Sequence, residues 1–264
     1  MAQALSALVL WVEQVEVCVV NRGNSMLLVM RRLQRISSHI APVAAPAALT
    51  FLPRTAATSS TEELRLTGHY ANLTGICAEQ ARYAFRGEVP VKSAEGWSVA
   101  TFAGGCFWGP QLLFDRIEGV VGTSVGYGQG DVAKPDYYKI CGGRSGHTEA
   151  VQVFYDEAVV SYEKLLEEFW ASIDPTVHNG QGNDYGPQYR TGIYYHTAEQ
   201  KLQAEASLQE VQKKYSRPIA TEIVLAKVYW PAETEHQNYL VQGGRFGRAQ
   251  SNAKGCRDAI RCYG

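Results

Sequence analysis

The chain has 264 residues, of which 45% are hydrophobic and 19% are charged, as in ordinary globular proteins. Its formal net charge of -1 argues against a general binder of nucleic acids or of membrane surfaces. Six cysteines are too few for a disulfide scaffold at this length, and their spacing lacks the paired C-x2-C groups of a structural zinc site. We therefore interpret the cysteines as isolated redox or nucleophilic thiols, with inert buried cysteines as the alternative.

The N-terminal region has the composition of an organelle targeting segment. Between Val17 and Thr61 the chain has five arginines and no acidic residue, and residues 37–61 are rich in Ser, Thr, Ala and Pro. Such a composition is typical of a transit peptide. We predict a disordered transit peptide over residues 1–60, with a disordered or mistranslated upstream leader as the alternative. Residues 61–96 are predicted to be a poorly defined extension with one short helix at "ICAEQARYAF".

Residues 97–264 are predicted to form a single α+β domain, because strand and helix patterns interleave along them. The tail from Gly243 onward shows neither periodicity and is predicted to be coil. The predicted strands are "SVATFAGG", "VVGTSVGYG", "HTEAVQVFYD" with period-two alternation, "RTGIYYH" and "TEIVLAKVYW". The predicted helices are "PQLLFDRI", "SYEKLLEEFWASI" and "TAEQKLQAEASLQEVQKKY".

One cysteine has a setting that suggests reactivity. Cys106 lies in "AGGCFWG", after a predicted strand and a Gly-Gly turn and before a predicted helix. Free N–H groups at the start of a helix stabilise a thiolate, and Phe107 and Trp108 would form apolar walls beside the sulfur. Pro110 fits best as the first residue of the helix, which places Cys106 a turn ahead of it and weakens this effect. The alternative is that the three side chains of "CFW" are simply core.

Further motifs follow in order between Thr101 and Gly264: "GCFWG", "GYGQG…PDYYKICGGRSGHTEAVQVFYD", "DPTVHNGQGNDYGPQYRTGIYY" and "ETEHQNYL". Together they resemble peptide methionine sulfoxide reductase, class A. The C-terminal "GGRFGRAQSNAKGCRDAIRCYG" resembles the plant and algal members, which have two cysteines near the end. The resemblance implies an α+β fold, with a ferredoxin-like two-layer core of mixed sheet and packed helices and a long coil C-terminal tail. It also implies no metal and no bound cofactor.

The chemistry of sulfoxide reduction can be matched to particular residues. The reaction needs a nucleophile for the sulfur, for which Cys106 is the candidate, and a proton for the departing oxygen. Glu149 shares a strand face with Val151, Val153 and Tyr155, so we expect a desolvated carboxyl with a raised pKa that can supply the proton. The alternative for Glu149 is a surface position on an edge strand.

The resemblance assigns roles to further residues. It implies that Tyr137 and Tyr189 aim their hydroxyls at the sulfoxide oxygen and that Asp184 lies beside the nucleophile. It also implies that Phe107 and Trp108 hold the methyl group of the substrate. His147 and His236 belong to the matching motifs, and we interpret them as structural hydrogen-bonding residues.

The two tail cysteines resemble the resolving and recycling cysteines of the family. The implied order is that Cys256 attacks the sulfenic acid of Cys106, and Cys262 then attacks that disulfide. Thioredoxin would reduce the final disulfide by exchange. Nearby cations, Lys254 among them, are expected to favour the thiolates. Cys141 is interpreted as a bystander.

The sequence therefore predicts a monomeric, thioredoxin-recycled reductase of methionine-S-sulfoxide, protein-bound and free, with no nucleic-acid or membrane partner. The plastid is the first choice of location because the tail resembles plant and algal members, with the mitochondrion or the cytosol as alternatives. A thiol peroxidase also cycles through a sulfenic acid, but it would not need Glu149 with paired tyrosines. A non-catalytic, redox-sensing or peptide-binding relative is a further alternative, against which the intact Cys106, Glu149 and tail cysteines argue.

Overall fold

The computed structural model describes residues 8–12, 15–22, 25–30 and 65–262. The first three ranges are the strands β1 (Leu8–Val12), β2 (Val15–Arg22) and β3 (Ser25–Met30), which form an antiparallel sheet of order β1-β2-β3. The composition predicted disorder here. The whole Ser- and Pro-rich segment, residues 37–61, lies outside the described residues, so the transit peptide stays a prediction.

The remaining described residues belong to a second compact unit, which spans Ser60–Gly264. Its helices are α1 (Gly75–Arg86), α2 (Trp108–Asp115), α3 (Tyr137–Cys141), α4 (Tyr162–Ser172) and α5 (Ala198–Gln212). Its strands are β4 (Ser98–Gly104), β5 (Val120–Gly128), β6 (Thr148–Tyr155), β7 (Gly180–Gln181), β8 (Asp184–Tyr185), β9 (Thr191–Tyr195), β10 (Glu222–Leu225) and β11 (Trp230–Pro231).

Six of these strands form one mixed sheet in the order β10-β9-β4-β6-β5-β11. The pairing of β10 with β9 is parallel, and the other neighbours are antiparallel. Helices pack on this sheet, which confirms the predicted α+β class. The longest described helix, α5, has 15 residues, and no helix in the described ranges has the length and apolarity of a membrane span.

Strand β6 lies in the interior of the sheet, and all of its residues are buried. On one face, Val151 and Val153 pack in a core to which α2, α4 and α5 contribute. On the other face, the polar Gln152 is bound by side chains: Gln80 Nε2 donates to its Oε1 at 3.0 Å, and its own Nε2 donates to Thr101 Oγ1 at 3.1 Å. The period-two alternation therefore does not mark a solvent face, because the polar positions are buried and hydrogen-bonded.

The short helix expected in residues 61–96 is α1, and it is part of the folded unit. Its alanines Ala78, Ala81 and Ala84 are buried in a cluster with Val125 and Trp230. Small side chains at this spacing form one helix face that can approach a sheet closely. The extension is thus packed on the same sheet as the region after residue 97.

The stretch "TEIVLAKVYW" was predicted as one strand, but it contains two. Strands β10 and β11 lie at opposite edges of the six-stranded sheet. Between them the chain crosses one face, where Ala226 and Tyr229 are buried and the Tyr229 hydroxyl donates to the Ser124 carbonyl at 2.8 Å. A continuous apolar run does not distinguish a buried crossing segment from a strand, which is why this prediction was wrong.

Candidate active site

Cys106 lies between the end of β4 and the start of α2. The helix begins at Trp108, two residues earlier than predicted, and Phe107 is its N-cap. Pro110 is tolerated inside the first turn because the N–H groups of that turn have no intrahelical acceptor. Cys106 therefore directly precedes the N-cap rather than standing a full turn away.

The turn before Cys106 requires glycine. Gly105 has φ of 83°, and a Cβ atom added to it would lie 2.5 Å from the Gln181 Cβ. Both the positive φ and this close approach exclude an ordinary side chain. The "GGC" sequence thereby lets the chain bend sharply from the strand into the helix, with the sulfur at the bend.

The Cys106 thiol is held in its protonated form. Burial raises its pKa well above the ordinary value, and the negative charge of a nearby Glu149 carboxylate raises it further. A backbone hydrogen bond from Trp108 acts in the opposite direction. Since an ionised Glu149 opposes the thiolate, protonation of that carboxyl favours a nucleophilic sulfur.

Glu149 lies on β6 and is 2% exposed. Its Oε2 accepts a hydrogen bond from the Phe107 N–H at 3.1 Å. Burial raises its pKa to about 8, the Phe107 hydrogen bond opposes that shift, and the charge of Asp184 adds to it. The carboxyl is therefore mostly protonated at neutral pH. Its strand lies between β4 and β5, which excludes the alternative of a surface glutamate on an edge strand.

The predicted pocket residues meet at one cavity of about 220 Å³. Burial raises the pKa of Tyr137 and of Tyr189, so both phenols are hydrogen-bond donors at neutral pH. The charge of Glu149 contributes to both shifts. The cavity is lined by Cys106, Phe107, Trp108, Tyr137, Glu149, Asp184, Tyr189, Tyr239 and Arg245.

Two lining residues, Tyr239 and Arg245, were not identified from the sequence. The Tyr239 ring stacks on Trp108, with ring centroids 3.9 Å apart and an interplanar angle of 21°. Tyr239 lies in the quoted motif "ETEHQNYL", so its motif membership was the available signal. Arg245 belongs to the tail that was predicted only as coil, and no local pattern indicates that it returns to the cavity.

The acidic start of that motif, Glu233, was also missed, and it holds the cavity wall in place. Its Oε1 accepts the Tyr137 N–H at 2.9 Å, and its Oε2 accepts the Tyr127 hydroxyl at 2.8 Å. His236 packs beside the same wall, 4.6 Å from the Tyr137 ring. The Nδ1 of His236 is buried without a hydrogen-bond partner among the described residues. The hydrogen-bonding role expected for His236 is therefore not found at this nitrogen, and its ring contributes by packing. His147 does bond, to the Gly130 N–H and the Val132 carbonyl.

The two tail cysteines occupy different surroundings. Cys262 and Cys106 line a shared cavity of about 320 Å³, whereas Cys256 lines a neighbouring groove of about 580 Å³ that neither Cys106 nor Cys262 lines. A Cβ atom added to Gly109 would lie 2.7 Å from the Cys262 Sγ, so this glycine admits the sulfur against α2. Burial, and then the charge of Asp184, raises the pKa of Cys262, contrary to the expected cation-favoured thiolate.

These contacts define a thiol-dependent α+β enzyme. A buried sulfur at a helix start, a protonated carboxyl and two phenols converge on one cavity, as required when a substrate needs both a nucleophile and a proton. Among the described residues, no group of three or more His, Cys, Asp or Glu side chains could hold a metal ion.

Comparisons with known proteins agree with this class. Residues 98–261 match the family model described as "Peptide methionine sulfoxide reductase". The chain is 52% identical to "Peptide methionine sulfoxide reductase A3" of Arabidopsis thaliana over 171 residues, an alignment that covers 65% of this chain and 85% of that one. Over 173 residues it is 51% identical to "Peptide methionine sulfoxide reductase A4, chloroplastic" of Oryza sativa subsp. japonica, which covers 66% of each chain.

Among solved structures, reduced Mxr1 from Saccharomyces cerevisiae aligns with a TM-score of 0.54 at 32% identity, over 56% of this chain and 87% of that one. A methionine sulfoxide reductase A of Corynebacterium diphtheriae aligns with a TM-score of 0.50 at 37% identity, over 54% and 73% respectively. The chain belongs to the peptide methionine sulfoxide reductase family, class A, which confirms the resemblance read from its motifs.

We predict that Glu149→Gln slows the sulfoxide step by about 10²–10⁴-fold, the usual contribution of a positioned general acid. The amide keeps the size of the side chain and an oxygen for the Phe107 N–H, but it has no acidic proton. The measurement is the single-turnover rate of methionine formation without added reductant.

The matched control for this experiment is Glu168→Gln, which changes a partly exposed glutamate on α4 that is paired with Lys164. It is expected to react like wild type. A Glu149→Gln rate within about threefold of wild type would contradict the acid role, since general acids contribute far more.

Proposed function

We propose that this chain reduces methionine-S-sulfoxide, protein-bound and free, to methionine through a sulfenic acid on Cys106. The observation that supports it most directly is the hydrogen-bonded junction of Glu149 with the N–H of Phe107, next to the Cys106 sulfur. The proposal is also supported by the shared cavity that Cys106 and Glu149 line, since the raised pKa of Glu149 favours its protonated form there. Phe107 and Trp108 supply the apolar lining that a sulfoxide methyl group requires.

The chemistry follows from these positions. The Cys106 sulfur attacks the sulfoxide sulfur while Glu149 protonates the oxygen, and the Tyr137 and Tyr189 hydroxyls donate hydrogen bonds to that oxygen. The sulfur–oxygen bond of the substrate then breaks, and the hydroxyl passes to the Cys106 sulfur as the transient bond between the two sulfurs breaks. The thiol proton of Cys106 replaces the proton that Glu149 gave up. Cys106 is thereby oxidised by two electrons to a sulfenic acid, and the sulfoxide is reduced by two electrons to methionine, which is released. One oxygen is transferred in total, so the step needs no cofactor to balance.

An epimer-resolved assay on the full chain tests this proposal. With dithiothreitol as reductant, we expect loss of the S epimer of dabsylated methionine sulfoxide and retention of the R epimer. Cys106→Ser abolishes the loss, because a hydroxyl is a poor nucleophile at neutral pH and cannot form a sulfenic acid. Faster consumption of peroxide than of sulfoxide would instead indicate a thiol peroxidase, and no turnover of either would indicate a non-catalytic relative.

For recycling we infer the reverse of the order implied by the sequence resemblance. Cys262, and not Cys256, shares a cavity with Cys106, and Gly109 leaves room for its sulfur. Cys262 therefore attacks the Cys106 sulfenic acid, which releases water and forms a Cys106–Cys262 disulfide. Cys256 then attacks Cys262 and releases the Cys106 thiol.

The reductant that closes the cycle is proposed to be thioredoxin, a dithiol protein that exchanges with disulfides. Support comes from the position of Cys256, which lines a groove that is separate from the substrate cavity. A final Cys256–Cys262 disulfide would present one sulfur at that groove. We propose that the chain acts as a monomer, with no nucleic-acid or membrane partner.

The proposed location is the plastid, with the mitochondrion or the cytosol as alternatives. It is supported by the acid-free, arginine-containing composition of residues 17–61. The rice relative that is 51% identical is named as chloroplastic, which agrees with this choice. The proposal includes a role of residues 1–60 as a transit peptide.

The order of the relay is tested by one turnover without reductant, followed by mass spectrometry of the thiols. Each variant in which Cys256, Cys262 or Cys141 is replaced is expected to form one equivalent of methionine, because the proposed sulfoxide step does not use these three thiols. We predict a trapped Cys106–Cys262 disulfide in Cys256→Ser, and a persistent sulfenic acid in Cys262→Ser. Cys141→Ser is the control and is expected to end, like wild type, with a Cys256–Cys262 disulfide.

The opposite pattern contradicts the inferred order. If Cys262→Ser formed a Cys106–Cys256 disulfide as fast as wild type resolves its sulfenic acid, Cys256 would be the first resolving residue. The order implied by the sequence resemblance would then stand.

A further inference from the structure

The C-terminal tail is bound to the end of α2 that lies away from Cys106. Lys254 Nζ donates hydrogen bonds to the carbonyls of Asp115 at 2.7 Å, Ile117 at 3.0 Å and Val120 at 2.7 Å. Carbonyls at a helix C-terminus have no intrahelical donor, and the helix dipole favours a cation there. Lys254 therefore caps α2 from the tail.

Arg116, the residue after α2, also binds the tail. Arg116 is 7% exposed, and its guanidinium donates to the Ser251 carbonyl at 2.8 Å and the Asp258 carbonyl at 2.6 Å. Its own carbonyl accepts the Gly255 N–H at 2.8 Å. The tail is thus bound to Arg116 at positions before and after Cys256.

A second anchor acts on the residue that precedes Cys262. The Gln250 side chain is 6% exposed and pairs with the backbone of Arg261. Its Nε2 donates to the Arg261 carbonyl at 2.8 Å, and its Oε1 accepts the Arg261 N–H at 2.9 Å. This two-bond pairing closes residues 250–261 into a loop and sets where Cys262 leaves it.

The Lys254 anchor is connected to the active site through α2, and the Gln250 anchor through Arg261, the neighbour of Cys262. The helix has 8 residues, which corresponds to about 12 Å, and it has Cys106 before its first turn and Lys254 at its last. The tail is fixed at the far end of the helix and returns to the near end, where Cys262 meets Gly109. Neither Gln250 nor Lys254 lines the substrate cavity.

We propose that Gln250 and Lys254 are positioning residues of the recycling step, which hold the loop of residues 250–261 so that the Cys262 sulfur lies beside Cys106. This proposal rests on the proposed function, and it deepens it by separating residues for disulfide formation from residues for sulfoxide reduction. Loss of either anchor leaves the nucleophile, the acid and the cavity in place. What it removes is the fixed distance between the two sulfurs.

The experiment uses the full-length variants Gln250→Leu and Lys254→Met in single turnovers without reductant. Disulfide formation is followed in a Cys256→Ser background, where the Cys106–Cys262 disulfide accumulates, and thioredoxin-driven turnover is followed with Cys256 intact. Methionine formation reports the sulfoxide step, and mass spectrometry reports both the dimedone-trapped Cys106 sulfenic acid and the Cys106–Cys262 disulfide. We expect methionine formation within about twofold of wild type and disulfide formation slowed by about tenfold to a hundredfold, as for reacting groups that are no longer held in place. Turnover with thioredoxin falls accordingly, and turnover with dithiothreitol does not.

Three further variants separate positioning from general destabilisation. Lys254→Arg keeps a cation at the helix end and is expected to restore most of the disulfide rate. Gln250→Glu keeps the acceptor for the Arg261 N–H but loses the donor, and is expected to lie between wild type and Gln250→Leu. Gln212→Leu is the matched control, since Gln212 also pairs with backbone, at Arg217 and Ile219, but in a different loop.

Several results would overturn the proposal. Unchanged disulfide formation in both Gln250→Leu and Lys254→Met would remove the positioning role and leave the relay intact. An equal fall of methionine formation and disulfide formation would show general damage to the fold, which also removes it. If the Cys256→Ser parent formed methionine without a Cys106–Cys262 disulfide, the inferred relay would fail first, and the positioning role with it.

Discussion

The hydrogen bond between the Phe107 N–H and the Glu149 carboxyl joins the central strand of the sheet to the start of helix α2, 3.1 Å across. It fixes the Glu149 carboxyl, the proposed acid, against the residue that follows Cys106, the proposed nucleophile. The carboxyl can be buried because β6 has a strand on each side and packed helices above it. Burial keeps the proton on the carboxyl, and a neutral carboxyl in turn spares Cys106 the charge that would oppose its ionisation.

Helix α2 connects the two parts of the proposed reaction cycle, which are sulfoxide reduction at Cys106 and recycling by the tail cysteines. Its first turn follows the bend at Gly105 and Cys106. The carbonyl of Asp115, its last residue, accepts a hydrogen bond from the Lys254 ammonium in the C-terminal tail. One short helix therefore has Cys106, the proposed nucleophile, before its first turn and binds the tail at its last, from where the tail returns to bring Cys262 against Gly109. The separation also explains how Cys256 can line one groove while Cys262 lines the neighbouring cavity of Cys106, although only six positions of sequence separate them.

Much of the fold and of the site follows from the sequence, because periodicity and motifs are local properties. The strands around "SVATFAGG", "VVGTSVGYG" and "HTEAVQVFYD" lie where their patterns predict. Side chains from four separate motif positions line one cavity, namely Cys106, Glu149, Tyr137 and Tyr189. What could not be predicted depends on contacts between distant segments. The helix starts at Trp108 without a capping side chain, β10 and β11 separate to opposite edges, and Arg245 and Cys262 reach the site only through the folding back of an irregular tail.

The central claim is that Glu149 keeps its proton in the folded enzyme at neutral pH, and a titration measures this directly. Carbon-13 labelling of glutamate side-chain carboxyls gives one NMR signal per residue, and Glu149→Gln identifies the signal that belongs to Glu149. Because its pKa in the folded state is raised, the carboxyl is protonated below that pKa and ionises as the pH increases through it. We expect a midpoint at about 8. A midpoint near the ordinary glutamate value of 4.5 would contradict it, because the carboxyl would then be ionised at neutral pH and could not protonate the sulfoxide oxygen.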